Sequence, residues 1–441
     1  MRRARDRTAA KNERAGKTVC RSAGGTGTAE REWFCMGLSE KQKEIFRFGD
    51  SGYDALICDG AIRTGKSSLM TAAFIDWAME RFDGVRFGIC GKTADGCAKN
   101  LILPYLATSA ARRSYRLRWR PGTRELTVTA RRNGRARRNV FELFGGVNES
   151  SFALIQGRTL GGVLVDEAAL LPRSFVDQAA ARCSLPGAKL WFNCNPASTG
   201  HWFYREWVSK PEEKNALRIH FTLEDNPGLS REVRKRYEAL YTGVFRRRYI
   251  LGEWCAAEGL VYDFGPDNLT EEIPEEGDVY ISVDYGTMNP FSAGLWRVTK
   301  DPVSREPRAV RIREYYHDGR ASGTALTDED YCREIERLAG NLTVKRVVAD
   351  PSASSFIAAL RRHGFTVVKA KNDVLDGIRV TAGALKSGEV KIHSSCRDAV
   401  REFGLYRWAE NGERDAVVKE NDHAMDDIRY FVNTILKKRR T

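Results

Sequence analysis

The segment Gly60-Ala-Ile-Arg63-Thr64-Gly65-Lys66-Ser67 constrains the fold more than any other part of this chain. It matches Gly-x-x-x-x-Gly-Lys-Ser, follows the apolar run Leu56-Ile-Cys58 and precedes a helical pattern over 67–81. In that setting backbone amides and a helix N-terminus cradle phosphate; a coincidental glycine-rich turn is the alternative. Gly60, Thr64, Gly65, Lys66, Ser67 and Ser68 are the expected ATP-binding set. Lys66 would reach the β- and γ-phosphates and Ser67 would ligate Mg²⁺. Arg63, inside the loop, adds a cation suited to charge developing on the γ-phosphate.

A second signal lies about a hundred residues on. The apolar run Gly162-Val-Leu-Val165 ends in Asp166-Glu167. Asp166 is expected in the Mg²⁺ shell and Glu167 beside the attacking water, against the alternative of a strand that ends in acids by chance. An acid pair whose second member is poised as a base favours a hydrolase over a kinase. Three further readings stay open. Gln42 either reads an adenine edge or is a surface glutamine. Asn195, in Asn193-Cys-Asn195-Pro196, either senses the γ-phosphate or belongs to a strand-ending turn. Arg246-Arg247-Arg248 supplies an arginine finger, binds DNA or lies on a solvated helix face.

From residue 42 to about 253, strand-like runs at 56–58, 85–90, 162–165 and 189–192 alternate with helical patterns. That alternation predicts a mainly parallel sheet covered by helices. An acidic, proline-bearing stretch follows and reads as a linker over 258–278, leaving a second α/β unit over 279–441. Residues 1–35 read as a basic leader with little to bury and are expected to be disordered. Met36 offers an alternative translation start.

The second unit carries three isolated acids. Asp284 ends the strand pattern Val279-Tyr-Ile-Ser-Val283, Asp350 ends Val347-Val-Ala349, and His423 and Asp426 share a face of a closing helix. Carboxylates from two strand ends and one late helix suit an RNase H-like site holding two Mg²⁺ or Mn²⁺ ions roughly 3.5–4 Å apart for phosphodiester cleavage. Singly, each acid also reads as a strand-end or capping residue. Asp427 rivals Asp426 as the third ligand, being i+4 from His423.

Composition narrows the partners. The net charge of +14 and pI near 9.3 favour a polyanion such as nucleic acid. Residues 112–138 hold eleven arginines and one acid, Glu125. The pattern there is a strand over 126–130 entering a turn at Asn133-Gly134, which reads either as a phosphate-tracking surface or as a solvated hairpin. No run approaches the roughly 18–20 apolar residues of a membrane span. The ten cysteines lack metal-ligand spacing and read as reduced, mostly buried thiols.

With both halves in view, the chain resembles the large subunit of tailed-phage terminases, particularly prophage-type members, over roughly 38–437. The motifs carrying this are Gly60–Ser67 with Arg63, Leu164-Val-Asp166-Glu167-Ala, Phe192-Asn-Cys-Asn195-Pro196, Asp225-Asn-Pro227 and Tyr249-Ile-Leu-Gly-Glu-Trp254. They continue with Val283-Asp284-Tyr-Gly-Thr287, Ala349-Asp350-Pro-Ser352 and Asp422-His423-Ala-Met-Asp426-Asp427-Ile-Arg-Tyr430. The resemblance implies an ATP-driven motor that moves double-stranded DNA into a procapsid through a portal protein, with a small-subunit partner and a homo-oligomeric ring on the portal. It implies an RNase H-like nuclease that cuts concatemers, in the cytoplasm of a bacterial host. By motif, Lys66 and Ser67 bind nucleotide, Glu167 is the catalytic acid, Asn195 lies in the coupling segment, and Asp284, Asp350 and Asp426 are metal ligands with His423 beside them. Two other classes stand against this reading: an ATP-dependent repair nuclease or helicase, and a nucleotide-gated assembly protein whose acids are structural.

Overall fold

The computed structural model describes residues 37–132, 134–301, 304–409 and 415–437. The expected leader over 1–35, the alternative start at Met36 and the turn residue Asn133 lie outside them.

Two sheets organise the chain, and both are mixed α/β units. The first has eight strands in the order β3-β4-β5-β2-β6-β7-β1-β8. Its parallel part comprises β1 (Ala55–Gly60), β2 (Arg86–Gly91), β6 (Gly162–Val165), β7 (Lys189–Cys194) and β8 (Ala216–Phe221). An antiparallel extension, β3 (Arg116–Arg120), β4 (Glu125–Arg132) and β5 (Arg135–Gly145), joins through β5, itself parallel to β2. The sheet is thus mainly parallel, as the alternation of apolar runs and helical patterns predicts. Its central strands are buried because helices cover both faces. Helix α1 (Glu40–Arg47) and helix α2 (Lys66–Arg81) lie on one side. Phe74 and Trp77 of α2 meet Phe87, Phe141 and Trp191 edge-on or tilted at 5.7–5.9 Å, an aromatic core that seats the helix.

The chain then runs through α3 (Arg231–Leu240) and α4 (Gly243–Tyr249) towards the second sheet. That sheet has the order β14-β13-β10-β11-β12-β15-β9. Strands β10 (Asp278–Asp284), β11 (Phe291–Lys300) and β12 (Pro307–His317) form an antiparallel meander, and β13 (Val344–Ala349) and β14 (Val367–Lys369) continue in parallel from β10. This is the expected RNase H-like topology. Helices α5 (Asp328–Ala339) and α6 (Ser354–Arg362) pack one face through Tyr331, Ile335, Phe356 and Leu360. On the other face lie α7 (Val374–Lys386) and α8 (His423–Phe431), where Phe431 stacks on Trp296 at 4.1 Å.

The segment expected as a linker has structural work. Its strand β9 (Leu269–Thr270) pairs with β15 (Val390–His393) at the edge of the second sheet, and Val261 and Tyr262 are buried. The joint begins earlier still. Tyr241, Phe245 and Ile250 share one apolar cluster with Ile378, Phe403, Trp408 and Phe431. Arg248 is buried, donating to the Cys255 carbonyl and to both oxygens of Asp415 (3.0 Å for the Nη2 bond to Oδ1), while Arg247 pairs with Glu253 at 2.9 Å. Of that arginine triplet, Arg246 and Arg247 are exposed and Arg248 alone is buried. No helix among the described residues is long and apolar enough to cross a membrane.

Candidate active sites

The first site forms where β1 stops. Gly60 has φ +124°, and a Cβ there would lie 1.9 Å from the Phe221 carbonyl oxygen, so only glycine lets the loop leave the sheet. Gly65, at φ +85°, caps α2 in the left-handed region. Between them Lys66 is buried with its ammonium on the carbonyls of Gly60 (3.1 Å) and Ala61 (2.5 Å), and burial lowers its pKa. Thr64 is buried against Lys66, whereas Arg63 and Ser68 are exposed on the rim.

The acids arrive from β6. Ser67 donates to Asp166 at 3.0 Å, and the Asn193 amide donates to both the Ser67 hydroxyl and Asp166. Burial raises the pKa of Asp166. Glu167 sits at φ 54°, ψ 49°, a left-handed conformation that a β-sheet terminus rarely imposes on glutamate. Both its oxygens accept from the Asn195 amide, at 2.9 and 3.1 Å, while the other end of that amide accepts from Lys66 at 3.4 Å. Burial, reinforced by Asp166, pushes Glu167 up to about 7, against the pull of Lys66 and Asn195. Asn193 near the end of β7 and Asn195 just past it therefore each grip one acid.

These groups line a cavity of about 790 Å³. Ser67 and Asp166 offer hard oxygens 3.0 Å apart, a donor set suited to Mg²⁺ alongside phosphate. The far wall is Tyr237 and Tyr241, with the Arg63 guanidinium 5.7 Å from the Tyr237 ring centroid. Sequence reasoning missed both tyrosines and also Lys99 and Asn100, which join them in the lining. The available signal was the four-residue spacing of the tyrosines, Tyr237 on α3 and Tyr241 just past its end. Gln42 lies behind the loop. Its amide donates to the Thr64 carbonyl at 2.9 Å and its oxygen accepts from Ser39 N at 3.1 Å, so both ends hold protein.

The second site gathers around Tyr430. Its hydroxyl donates to Asp350 at 3.1 Å, and burial together with the charges of Asp284, Asp426 and Asp350 holds the phenol un-ionised. All three expected acids thus act on one hydroxyl. Asp284, at the end of β10, is pushed up to about 7, first by burial and then by Asp426 and Asp427; only His423, bonded at 2.9 Å, opposes. The His423 imidazole is raised in return, Asp284 outweighing its burial. Asp426 accepts from Arg429 at 2.9 Å. Asp427 faces elsewhere: it is fully buried, accepts from Ser282 at 2.7 Å and is bound by Ser292 and by both guanidinium nitrogens of Arg311. Of the two adjacent acids, Asp426 is the one turned to Tyr430.

The expected two-ion cradle is not laid out as such. Among the described residues, no three of the His, Cys, Asp and Glu side chains are arranged to hold a metal ion. The charges explain this: His423 and Arg429 occupy Asp284 and Asp426. The donor chemistry still suits a divalent cation: Asp284, Asp350 and Asp426 are hard oxygen ligands, and Asp284 is held protonated near neutral pH first by burial and then by its like-charged neighbours.

Comparison with known proteins identifies the family. The family model described as terminase large subunit, T4likevirus-type, N-terminal, matches residues 57–265. The terminase large subunit of Escherichia phage T5 is 22% identical over 306 residues, covering 63% of this chain and 66% of that protein. The large terminase of the thermophilic bacteriophage D6E is 43% identical over 91% of this chain and 100% of its own, with a TM-score of 0.83. Its complexes with ADP and with ATP-gamma-S align with TM-scores of 0.80 and 0.79, each at 42% identity and over 90% of this chain. With that identity carried across nearly its full length, the chain belongs to the large terminase family.

Proposed function

We propose that this protein is a DNA-packaging motor and nuclease: it hydrolyses ATP to translocate double-stranded viral DNA through the portal, and cuts concatemers in a metal-dependent reaction. The observation that carries the motor half is the Lys66–Asn195–Glu167 chain across the mouth of the cavity. Lys66 would leave its loop carbonyls for the β- and γ-phosphates, with Ser67 and Asp166 holding Mg²⁺. That movement would withdraw the cation from Asn195. Glu167, shedding its proton near neutral pH, then orients and accepts a proton from the attacking water. Arg63 faces the rim, suited to charge on the γ-phosphate. The D6E protein's complexes with ADP and ATP-gamma-S support a nucleotide at this site.

For the nuclease half, Asp284, Asp350 and Asp426 would hold two Mg²⁺ or Mn²⁺ ions, with His423 beside them. Bound divalent ions activate water and stabilise the leaving oxygen of a phosphodiester. The chain's contribution is positional: Tyr430 fixes Asp350, Arg429 fixes one oxygen of Asp426, and Asp427 locks α8 to the sheet through Arg311. The portal protein, the terminase small subunit and a ring of identical copies are the proposed partners, in the bacterial cytoplasm. The deciding experiment compares the parent, Glu167→Ala and Asp284→Ala for portal-stimulated ATP turnover and Mn²⁺-dependent plasmid cleavage. Each variant should lose one activity and keep the other. Strand separation by the isolated protein, independent of portal, would move the reading to a helicase.

A further inference from the structure

The arginine-rich stretch over 112–138 resolves into two sets. On β3, Arg116, Arg118 and Arg120 are exposed while Leu117 and Trp119 turn inward. The ladder extends this face: Arg116 lies opposite Thr129, which lies opposite Arg138, and Arg131 lies opposite Ala136. The reverse face is core, with Leu126, Val128 and Phe141 packed in the cluster that contains α2. Arg137 belongs to that side and donates to the Met79 carbonyl at 3.0 Å and to that of Glu80. One run of sequence thus supplies structural arginines backwards and a row of cations outwards.

The outward set is unspent. Glu125 and Glu142, at the sheet-ward end of the face, are engaged by Arg86 (3.1 Å to Glu125) and, for Glu142, also by Arg158 at 3.4 Å. Among the described residues, Arg116, Arg118, Arg131 and Arg138 have no carboxylate within ion-pair distance. A charge that keeps an edge strand from pairing with another molecule explains β3. It does not explain Arg131 and Arg138, which sit on interior strands of the sheet. The other arginine cluster, at 246–248, is largely consumed by Glu253 and Asp415.

We propose that this face of β3, β4 and β5 is where the motor half bears on the sugar-phosphate backbone of duplex DNA. The assignment rests on the packaging reading and adds a location to it. Alternate residues on a strand are about 6.8 Å apart and strands two apart are separated by about 9.6 Å, so the side chains form a flat grid of cations. A duplex carries one negative charge per about 1.7 Å of axis, so such a grid meets several phosphates without reading bases. Sequence-independent grip is what a translocating motor requires. The face also stands clear of the nucleotide cavity. Strand β2 pairs with β5 only from Val140 to Gly145, so Arg135–Asn139 project past it at the end of the sheet opposite the phosphate loop.

The test uses the full-length chain with the triple substitution R116Q/R118Q/R138Q and, separately, Thr129→Lys, which adds a cation inside the same row. A short mixed-sequence duplex is titrated by fluorescence anisotropy in EDTA over a range of salt. For the triple variant, the slope of log K against log salt should become shallower by about 2.7, with affinity on the order of 10²-fold weaker at 0.1 M salt. Thr129→Lys should steepen it by about 0.9. Basal ATP turnover and the melting temperature should hold in both, since these side chains have no protein partners to lose. Unchanged slopes with a parent that binds duplex overturn this surface assignment alone. A parent that binds no duplex overturns the packaging reading with it. Loss of self-association with an unchanged slope makes the face a contact between copies and likewise overturns the proposal.

Discussion

The two acid sites of this chain are balanced by different means. In the first, neutral amides hold the carboxylates: Asn193 grips Asp166 and Asn195 grips Glu167. In the second, basic side chains do so: the His423 ring is bonded to Asp284 and the Arg429 guanidinium to Asp426. A neutral amide orients an acid without cancelling its charge, so the first site stands ready for a ligand that brings its own cation. A guanidinium or an imidazole ring bonded to a buried carboxyl takes up the oxygens a metal would use, so a metal entering the second site would have to displace or share with a resident partner. The first is therefore a preformed cavity, the second a closed network of ion pairs and hydrogen bonds.

The largest expected effect tests the preformed site. Glu167→Ala should lower ATP turnover by roughly 10²–10⁴-fold, the range for losing a positioned base, measured by phosphate release with nucleotide binding retained. Turnover within a few-fold of the parent would remove Glu167 from the chemistry. Next in size is the contrast between adjacent acids of the closed network. Asp427→Ala leaves the fully buried Arg311 with only Glu314, 3.6 Å away, and should cost about 3–5 kcal/mol, seen as a lower melting temperature. Asp426→Ala also takes a carboxylate from a buried arginine, but Arg429 keeps the Asn372 and Asp373 carbonyls at 3.0 and 3.2 Å, so this variant should melt above Asp427→Ala while losing Mn²⁺-dependent cleavage. A stable Asp427→Ala protein that has lost cleavage would reverse the two roles.

How far this contrast was readable from sequence follows the range of the interactions. The phosphate loop is local: strand, glycines and helix lie within one short run, and the φ +124° at Gly60 is what its glycine anticipates. The parallel sheet and the RNase H-like order were likewise legible, because apolar strand runs and acid-terminated strands recur at readable spacing. The choice between Asp426 and Asp427 was not, since helical spacing from His423 admits both. What sets the two acids apart is the set of partners on β10, β11 and β12, more than a hundred residues upstream, that take up Asp427. Tyr237, Tyr241 and the buried Arg248 were hidden for the same reason. Strand β9 was missed because two residues carry no period, and acids and a proline around it read as linker.

A smaller effect follows from proton linkage at the first site. The folded pKa of Glu167, about 7, lies above its ordinary value, so the native state binds this proton more tightly than the unfolded chain does. Stability from this source is complete below the unfolded pKa and is lost as pH rises towards 7. The loss is at most roughly 3 kcal/mol. Glu167→Gln should therefore melt higher than the parent at pH 8 without nucleotide, and the gap should close near pH 4. A gap that does not change with pH would mean that Glu167 is ionised throughout and that the amide grip, rather than burial, governs it.

The smallest effect separates the two readings of Gln42. As a brace it joins Ser39 to the carbonyl of Thr64, so Gln42→Ala removes two hydrogen bonds behind the phosphate loop while the cavity lining, which does not include Gln42, keeps its side chains. About 1 kcal/mol of loop positioning should be lost, close to fivefold in the KM for ATP. The KM for GTP should rise in proportion, because the loop handles phosphates common to both nucleotides. An adenine reader behaves otherwise: its loss raises the KM for ATP, leaves that for GTP unchanged and erases the preference between them. The ratio of the two KM values in parent and variant therefore decides the role. The hydrogen bonds at both ends of the amide predict that this ratio stays constant.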